Sequence, residues 1–347
     1  MKKITIFILL VSFSATRCFA QNDLLDVKVI PNPGDISAYM GKQDYRSVKQ
    51  RIKLQGVGSP YNKKGDALEI RNYDKAGRET RVILFSKGKR DGITTYEYPA
   101  GQHVTLEHMK LSPSDPVTNF RITYDEQGRK LSVSHSQTSQ GYTYKGMVNY
   151  DYKDGLLLQR EAFLNEKRTV FYTYQYKGTD MVQAEAKNSG PSFTRYVFQY
   201  NSDHLPASET IFYVRPNKTD AMPPSTYTYK DKKLVGESIY TNDALKMQID
   251  VTYGYDTLGR ISNKSEIKEK SYRNITYEYS GPYISKMIIK TNTGPMGAHD
   301  PMMHTFPFGQ IPDEIDYYYD NKGYLIKTEE KLNDSVQFSV EYKNSYY

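Results

Sequence analysis

Short runs of alternating apolar and polar residues, closed by polar turns, fill most of the chain. The stretch "NFRITYDEQGRKLSVSH", Asn119 to His135, shows the unit. Phe120, Ile122 and Tyr124 alternate into a polar turn, and Leu131 and Val133 alternate out of it. Residues i and i+2 share one face of a strand, so the pattern predicts a β-hairpin. No segment keeps a helical period. The best helix candidate is short, Ile36 to Tyr45, with Asp35 as a cap.

The hairpin signal recurs. Tyrosines enter a turn at Tyr73, Tyr98, Tyr124, Tyr152, Tyr176, Tyr200, Tyr229, Tyr255, Tyr279, Tyr319 and Tyr342. Successive spacings are 25, 26, 28, 24, 24, 29, 26, 24, 40 and 23, a near-constant period that marks an array of supersecondary units. Two residues earlier an aromatic usually stands again, as at Tyr150, Tyr174, Tyr253 and Tyr277. In the strongest copies Asp74, Asp125, Asp256 and Asp320 open the turn, and Gly77, Gly128, Gly259 and Gly323 close it. Such an aspartate accepts a bond from the backbone two residues on, and the glycine supplies the positive φ that returns the chain. The expected fold is all-β: tandem β-hairpin repeats forming a long, coiled antiparallel sheet over residues 67–347. Open twisted sheets rarely exceed about 10 strands without curling, so an array of this length should coil. Two insertions, 213–226 and 291–314, are expected to leave the sheet as loops.

The pattern Tyr-x-Tyr-Asp-x-x-Gly-Arg resembles the YD repeat of the RHS family. The clearest matches run from Tyr253 to Arg260 and from Tyr124 to Arg129. The stretch "YRSVKQRI", Tyr45 to Ile52, resembles the start of small secreted YD-repeat proteins of Bacteroidetes-type bacteria. In the large relatives such repeats coil into a shell around a toxin or form a cell-surface module. This chain is too short for a closed shell and lacks the toxin domain, so the resemblance implies a repeat fold without the delivery role.

Composition places the chain outside the cytosol. Lys2 and Lys3 precede an apolar run from Ile4 to Phe13, and Cys18-Phe19-Ala20 offers a cleavage site. Residues 1–20 are therefore expected to be a signal peptide, and 21–66 a lead-in to the array. The run is too short to span a membrane. No transmembrane helix is expected in the mature chain, and the destination is the periplasm or surface of a Gram-negative bacterium. Removing the signal takes away Lys2, Lys3 and Arg17 and no acid, so the formal charge falls by three from +7 to +4. That mild, scattered charge gives no nucleic-acid footprint. The only cysteine leaves with the signal, which excludes disulfides, thiolate nucleophiles and cysteine metal ligands.

Little catalytic chemistry is visible. There is no Gly-x-Ser-x-Gly and no phosphate loop, and "GVGSPYNKKG" from Gly56 lacks a strand-to-helix context. His299, Asp300 and His304, with Met296, Met302 and Met303, match no established metal spacing, so neither a metal nor another cofactor is expected. The 33 tyrosines suggest two uses: cross-strand ladders, or a ring-bearing face for a glycan or an envelope protein. The candidate binding row is Tyr150/Tyr152, Tyr174/Tyr176, Tyr253/Tyr255 and Tyr277/Tyr279. The sequence thus favours a non-catalytic exported binding or scaffold module. An outer-membrane β-barrel is the first alternative and an envelope enzyme the second. The mean hydropathy of −0.71 favours a solvated sheet over the barrel.

Overall fold

A computed structural model describes residues 47–56, 67–86, 89–139, 141–240, 248–292 and 311–346. The expected signal peptide at 1–20, the helix candidate at 36–45 and the His299–His304 cluster lie outside these residues. The first strands are β1 (Ser47–Gly56), β2 (Ala67–Tyr73), β3 (Glu79–Ser86), β4 (Lys89–Glu97), β5 (Val104–Lys110), β6 (Thr118–Tyr124) and β7 (Lys130–Ser139). Next come β8 (Tyr142–Lys153), β9 (Leu156–Leu164), β10 (Lys167–Lys177), β11 (Asp180–Asn188), β12 (Phe193–Tyr200), β13 (Pro206–Arg215), β14 (Lys218–Ala221) and β15 (Ser225–Lys230). The last are β16 (Lys233–Tyr240), β17 (Gln248–Tyr255), β18 (Ile261–Lys268), β19 (Ser271–Ser280), β20 (Tyr283–Thr291), β21 (Glu314–Tyr319), β22 (Leu325–Leu332) and β23 (Ser335–Tyr346). All 23 belong to one sheet. Every pairing is antiparallel and joins neighbours along the chain, apart from two departures.

The first departure corrects the reading of 213–226 as a solvent loop. Tyr213 and Val214 extend β13, Pro216 and Asn217 turn, and β14 pairs back from Asp220 to Tyr213. β15 then pairs with the same strand at Ser208 and Glu209. β14 and β15 are thus one strand course, broken at Pro223 and Pro224. Prolines cannot donate to a ladder, but the residues around them keep their bonds, including Met222 N–H to the Ile211 carbonyl. The second departure is β1. It pairs with β2 on one side and with β23 on the other, from Ser47 opposite Tyr346 to Gly56 opposite Phe338. The lead-in segment therefore contributes a strand, and the coiled sheet meets its own far end there. The second insertion lies between Thr291, which ends β20, and Glu314, which begins β21, and its residues 293–310 are outside the described ones.

Strand direction alternates, so connections fall on two rims. The turn rim carries the Tyr-Asp turns, and all four share one set of bonds. In the turn from Asp256, Gly259 N–H donates to the Asp256 carbonyl at 2.9 Å, and Asp256 N–H donates to the Arg260 carbonyl at 2.9 Å. Asp256 Oδ1 accepts from the backbone of Leu258 and Arg260, and Oδ2 from the Arg260 guanidinium at 2.7 Å. The backbone bonds repeat at Asp74, Asp125 and Asp320. Gly77, Gly128, Gly259 and Gly323 have φ of 79, 78, 78 and 85°. A fifth copy lacks the sequence signature: Asn201 takes the place of aspartate and His204, at φ 59°, that of glycine.

The recurring tyrosine has a separate task. Ladders between successive hairpins stop short of the turn rim; β18 and β19 pair only from Asn263 and Thr276 onward. The backbone carbonyls exposed by this splay need donors. Tyr98, Tyr176, Tyr200, Tyr255, Tyr279 and Tyr319 provide them, donating their hydroxyls to the carbonyls of Glu79, Leu157, Met181, Leu234, Ile261 and Ile284 at 2.6–3.0 Å. The turn arginine lies on the next such ring: Arg78 over Tyr98 at 4.4 Å, Arg129 over Tyr152 at 4.8 Å, Arg260 over Tyr279 at 3.9 Å. Each letter of Tyr-Asp-x-x-Gly-Arg thus has its own bond to make.

Candidate functional site

The eight candidate tyrosines lie on the buried face. Tyr150, Tyr174, Tyr253 and Tyr277 are only 4–7% exposed. Tyr152, Tyr176, Tyr255 and Tyr279 pack beside them, half-buried, against two core clusters. One cluster holds Val133, Val148, Leu157, Tyr172, Met181 and Phe198; the other holds Leu234, Val251, Ile261, Ile275, Ile284 and Ile315. These rings fill the core instead of presenting their faces to a ligand. Period-two alternation shows which residues share a face; it does not show which face is covered.

Polar groups inside this face are paired with the tyrosines. Tyr253 donates its hydroxyl to Glu237 at 2.5 Å, and Tyr227 donates to Glu209 at 3.4 Å. Burial pushes both carboxyls above their ordinary range, and the tyrosine bonds only partly oppose it. Glu266 is bound by the Arg273 guanidinium at 2.7 Å, both side chains being buried. Glu330 is different. It is 5% exposed, its Oε2 has no hydrogen-bond partner, and desolvation pushes it up to about 8.

The opposite face is solvated. β8 presents Lys145, Asn149 and Asp151 there, and β19 presents Asn274, Thr276 and Glu278. A groove of about 760 Å³ opens from this face at the turn rim. It forms because β20 and β21 pair only where Lys286–Ile288 meet Glu314–Asp316, then separate. Tyr319 bridges the gap through its hydroxyl to the Ile284 carbonyl, and its ring lies 5.1 Å from that of Tyr283. Tyr283 rests on Gly323, where an added Cβ would meet its hydroxyl at 2.6 Å. Tyr318 is 40% exposed, donates to Glu329 at 2.7 Å and carries Lys327 over its ring at 5.4 Å. Ser285, Asp316 and Asn321 add polar groups to the lining. Asp316 is held by Lys331, with Lys286 at 3.7 Å.

Such a groove suits a flat, hydroxyl-bearing ligand: rings to stack on, and amide, hydroxyl and carboxylate groups to bond. Tyr283 and Tyr318 fall outside the repeat phase, so the tyrosine period could not single them out. Among the described residues, no three His, Cys, Asp or Glu side chains are placed to hold a metal. No helix of the described residues is long and apolar enough to cross a membrane.

No family model matches the chain, and no curated protein matches it. Among solved structures it is similar to a porin-like protein from Bacteroides uniformis, at 11% identity and a TM-score of 0.30. That match covers 87% of this chain and 98% of the other. Likeness at that level does not bear on function.

Proposed function

We propose that this is a non-catalytic, exported binding module of the cell envelope, which holds a glycan against the solvent face of its sheet. The observation that carries the reading is the groove between β20 and β21, with the Tyr283 and Tyr318 rings beside Ser285, Asp316 and Asn321. The signal-like residues 1–20 and the resemblance to small secreted YD-repeat proteins support export. The polar residues on the outward faces of β8 and β19 favour water over lipid as the surroundings of that face, which weighs against an outer-membrane barrel. The test is a glycan array followed by calorimetry on the mature protein. Tyr318→Ala, an exposed change that spares the core, should weaken binding by about tenfold, the equivalent of about 1.4 kcal/mol. Unchanged affinity would remove the groove from the site. Release of shorter sugars during the titration would make the protein an enzyme. Capture of an envelope protein with no glycan bound would move the ligand to the partner-protein class.

A further inference from the structure

A second surface of similar chemistry lies on the other face, at the opposite rim. In β5–β9 the core rows end at Val133 and Val148, and the next cross-strand row continues toward the loop rim. Glu107 stands opposite Phe120, Phe120 opposite His135, and His135 opposite Gly146. The Phe120 and His135 rings are 5.5 Å apart and tilted by 38°. Gly146 has no side chain, and the imidazole occupies the space a Cβ would take. The strand β8 then runs on beyond the core, and Tyr144 and Tyr142 follow on the same face, 38% and 72% exposed. Elsewhere on this face, among the described residues, the repeat tyrosines are buried or half-buried. Here the aromatic floor comes out into solvent, with a half-buried carboxyl at one end.

We infer that Glu107, Phe120, His135, Tyr144 and Tyr142 form a second glycan site, selective for neutral pyranose rings. This rests on the reading of the protein as a glycan binder and adds a location and a selectivity to it. Phe120 and His135 on neighbouring strands, then Tyr144 and Tyr142 two residues apart along β8, give a floor on which successive sugar faces can stack, while Glu107 accepts their hydroxyls. A uronic or sialic acid would bring its charge toward a carboxyl that burial and the neighbouring Glu79 already disfavour in the ionised form. The notch at Gly146 lets the imidazole lie in the floor instead of standing above it.

The test uses the full mature protein titrated with neutral gluco-, manno- and N-acetylglucosamine oligosaccharides. The expected stoichiometry is two, with the groove weakened about tenfold in Tyr318→Ala and the number of sites falling to one in Tyr142→Ala/Tyr144→Ala. The His135 ring resonances should shift on saturation in the parent and in Tyr318→Ala. Gly146→Ala, which must displace the imidazole, should weaken this second site by about tenfold and leave the groove unchanged. Two sites persisting in the Tyr142→Ala/Tyr144→Ala variant would overturn the second site alone. Loss of all binding in that variant, with none in Tyr318→Ala, would overturn the groove alone. Absence of binding in the parent would overturn both.

Discussion

The two rims of the sheet are built under different rules. At the turn rim, the connections at Asp74, Asp125, Asn201, Asp256 and Asp320 repeat one bonding scheme, and most of the others are two-residue turns such as Asp154–Gly155. At the loop rim, lengths vary from two residues, Asn165–Glu166 between β9 and β10, to the long segment between Thr291 and Glu314. The difference follows from what each rim must satisfy. Strands splay at the turn rim, so six repeat tyrosines donate a hydroxyl to an exposed carbonyl, and five turns add an Asx arrangement with a positive-φ residue. The loop-rim ladders run to the strand ends, as in Lys268 opposite Ser271, so little is demanded of what joins them. Variation therefore collects where the backbone is already satisfied. Both proposed glycan surfaces lie at places where the regular scheme stops: the interrupted β20–β21 ladder and the overhang of β8.

The sharpest way to break this contrast is at Gly259. Its φ of 78° is strained for a β-branched residue, and Gly259→Val should cost about 1–3 kcal/mol, read as a drop in melting temperature. Leu258→Ser, at the 75% exposed neighbour, should leave it unchanged. Equal effects would mean that the turn rim is not conformationally specified. Next in size is Tyr279→Phe. It keeps the ring but leaves the Ile261 carbonyl without its 2.6 Å partner, at a cost of about 1–3 kcal/mol in urea unfolding. A neutral outcome would reduce the tyrosine period to ring packing.

Glu330 tests the buried face by pH. Its folded-state value of about 8 lies above the ordinary 4.5, so the folded state holds its proton more tightly. Its contribution is fully present below pH 4.5 and is lost as pH rises through 8. Glu330→Gln should accordingly raise the melting temperature more at pH 9 than at pH 5, and an equal change at both would show that the carboxyl is not held neutral. The smallest effect is expected at the loop rim. Asn165 and Glu166 have φ of 47 and 67°, the geometry of a two-residue hairpin that favours glycine at its second position. Glu166→Gly should stabilise by less than about 1 kcal/mol, and a clear loss would mean that this rim is also specified by residue type.

Much of the fold was legible because its signals are local. Asp256 and Gly259 bond within their own turn, so four residues suffice to announce it. The phase of Tyr200 marked the turn at Asn201 to Leu205, but its bonding scheme escaped because asparagine and histidine reproduce the same geometry with different letters. The strand at Lys218–Ala221 was hidden by Pro216, Pro223 and Pro224, which interrupt a ladder without ending it. The candidate site was much less legible. Burial of Tyr174 or Tyr253 depends on what covers their face, a property of the whole sheet. The groove depends on a missing stretch of pairing between β20 and β21, and the floor on how far β8 overhangs; no local pattern encodes either.

The position of β1 limits how such a chain can grow or shrink. β1 is antiparallel to β2 and also to β23. Direction reverses at every step between them, with β14 and β15 counting as one course. That circuit is consistent only with an even number of courses. Duplicating or deleting a single strand would bring β23 to β1 in the parallel sense, with its hydrogen-bonding groups out of phase. Lineages that keep this seam should therefore differ in length by whole hairpins, so that parity at one junction sets the unit of inheritance for the entire molecule.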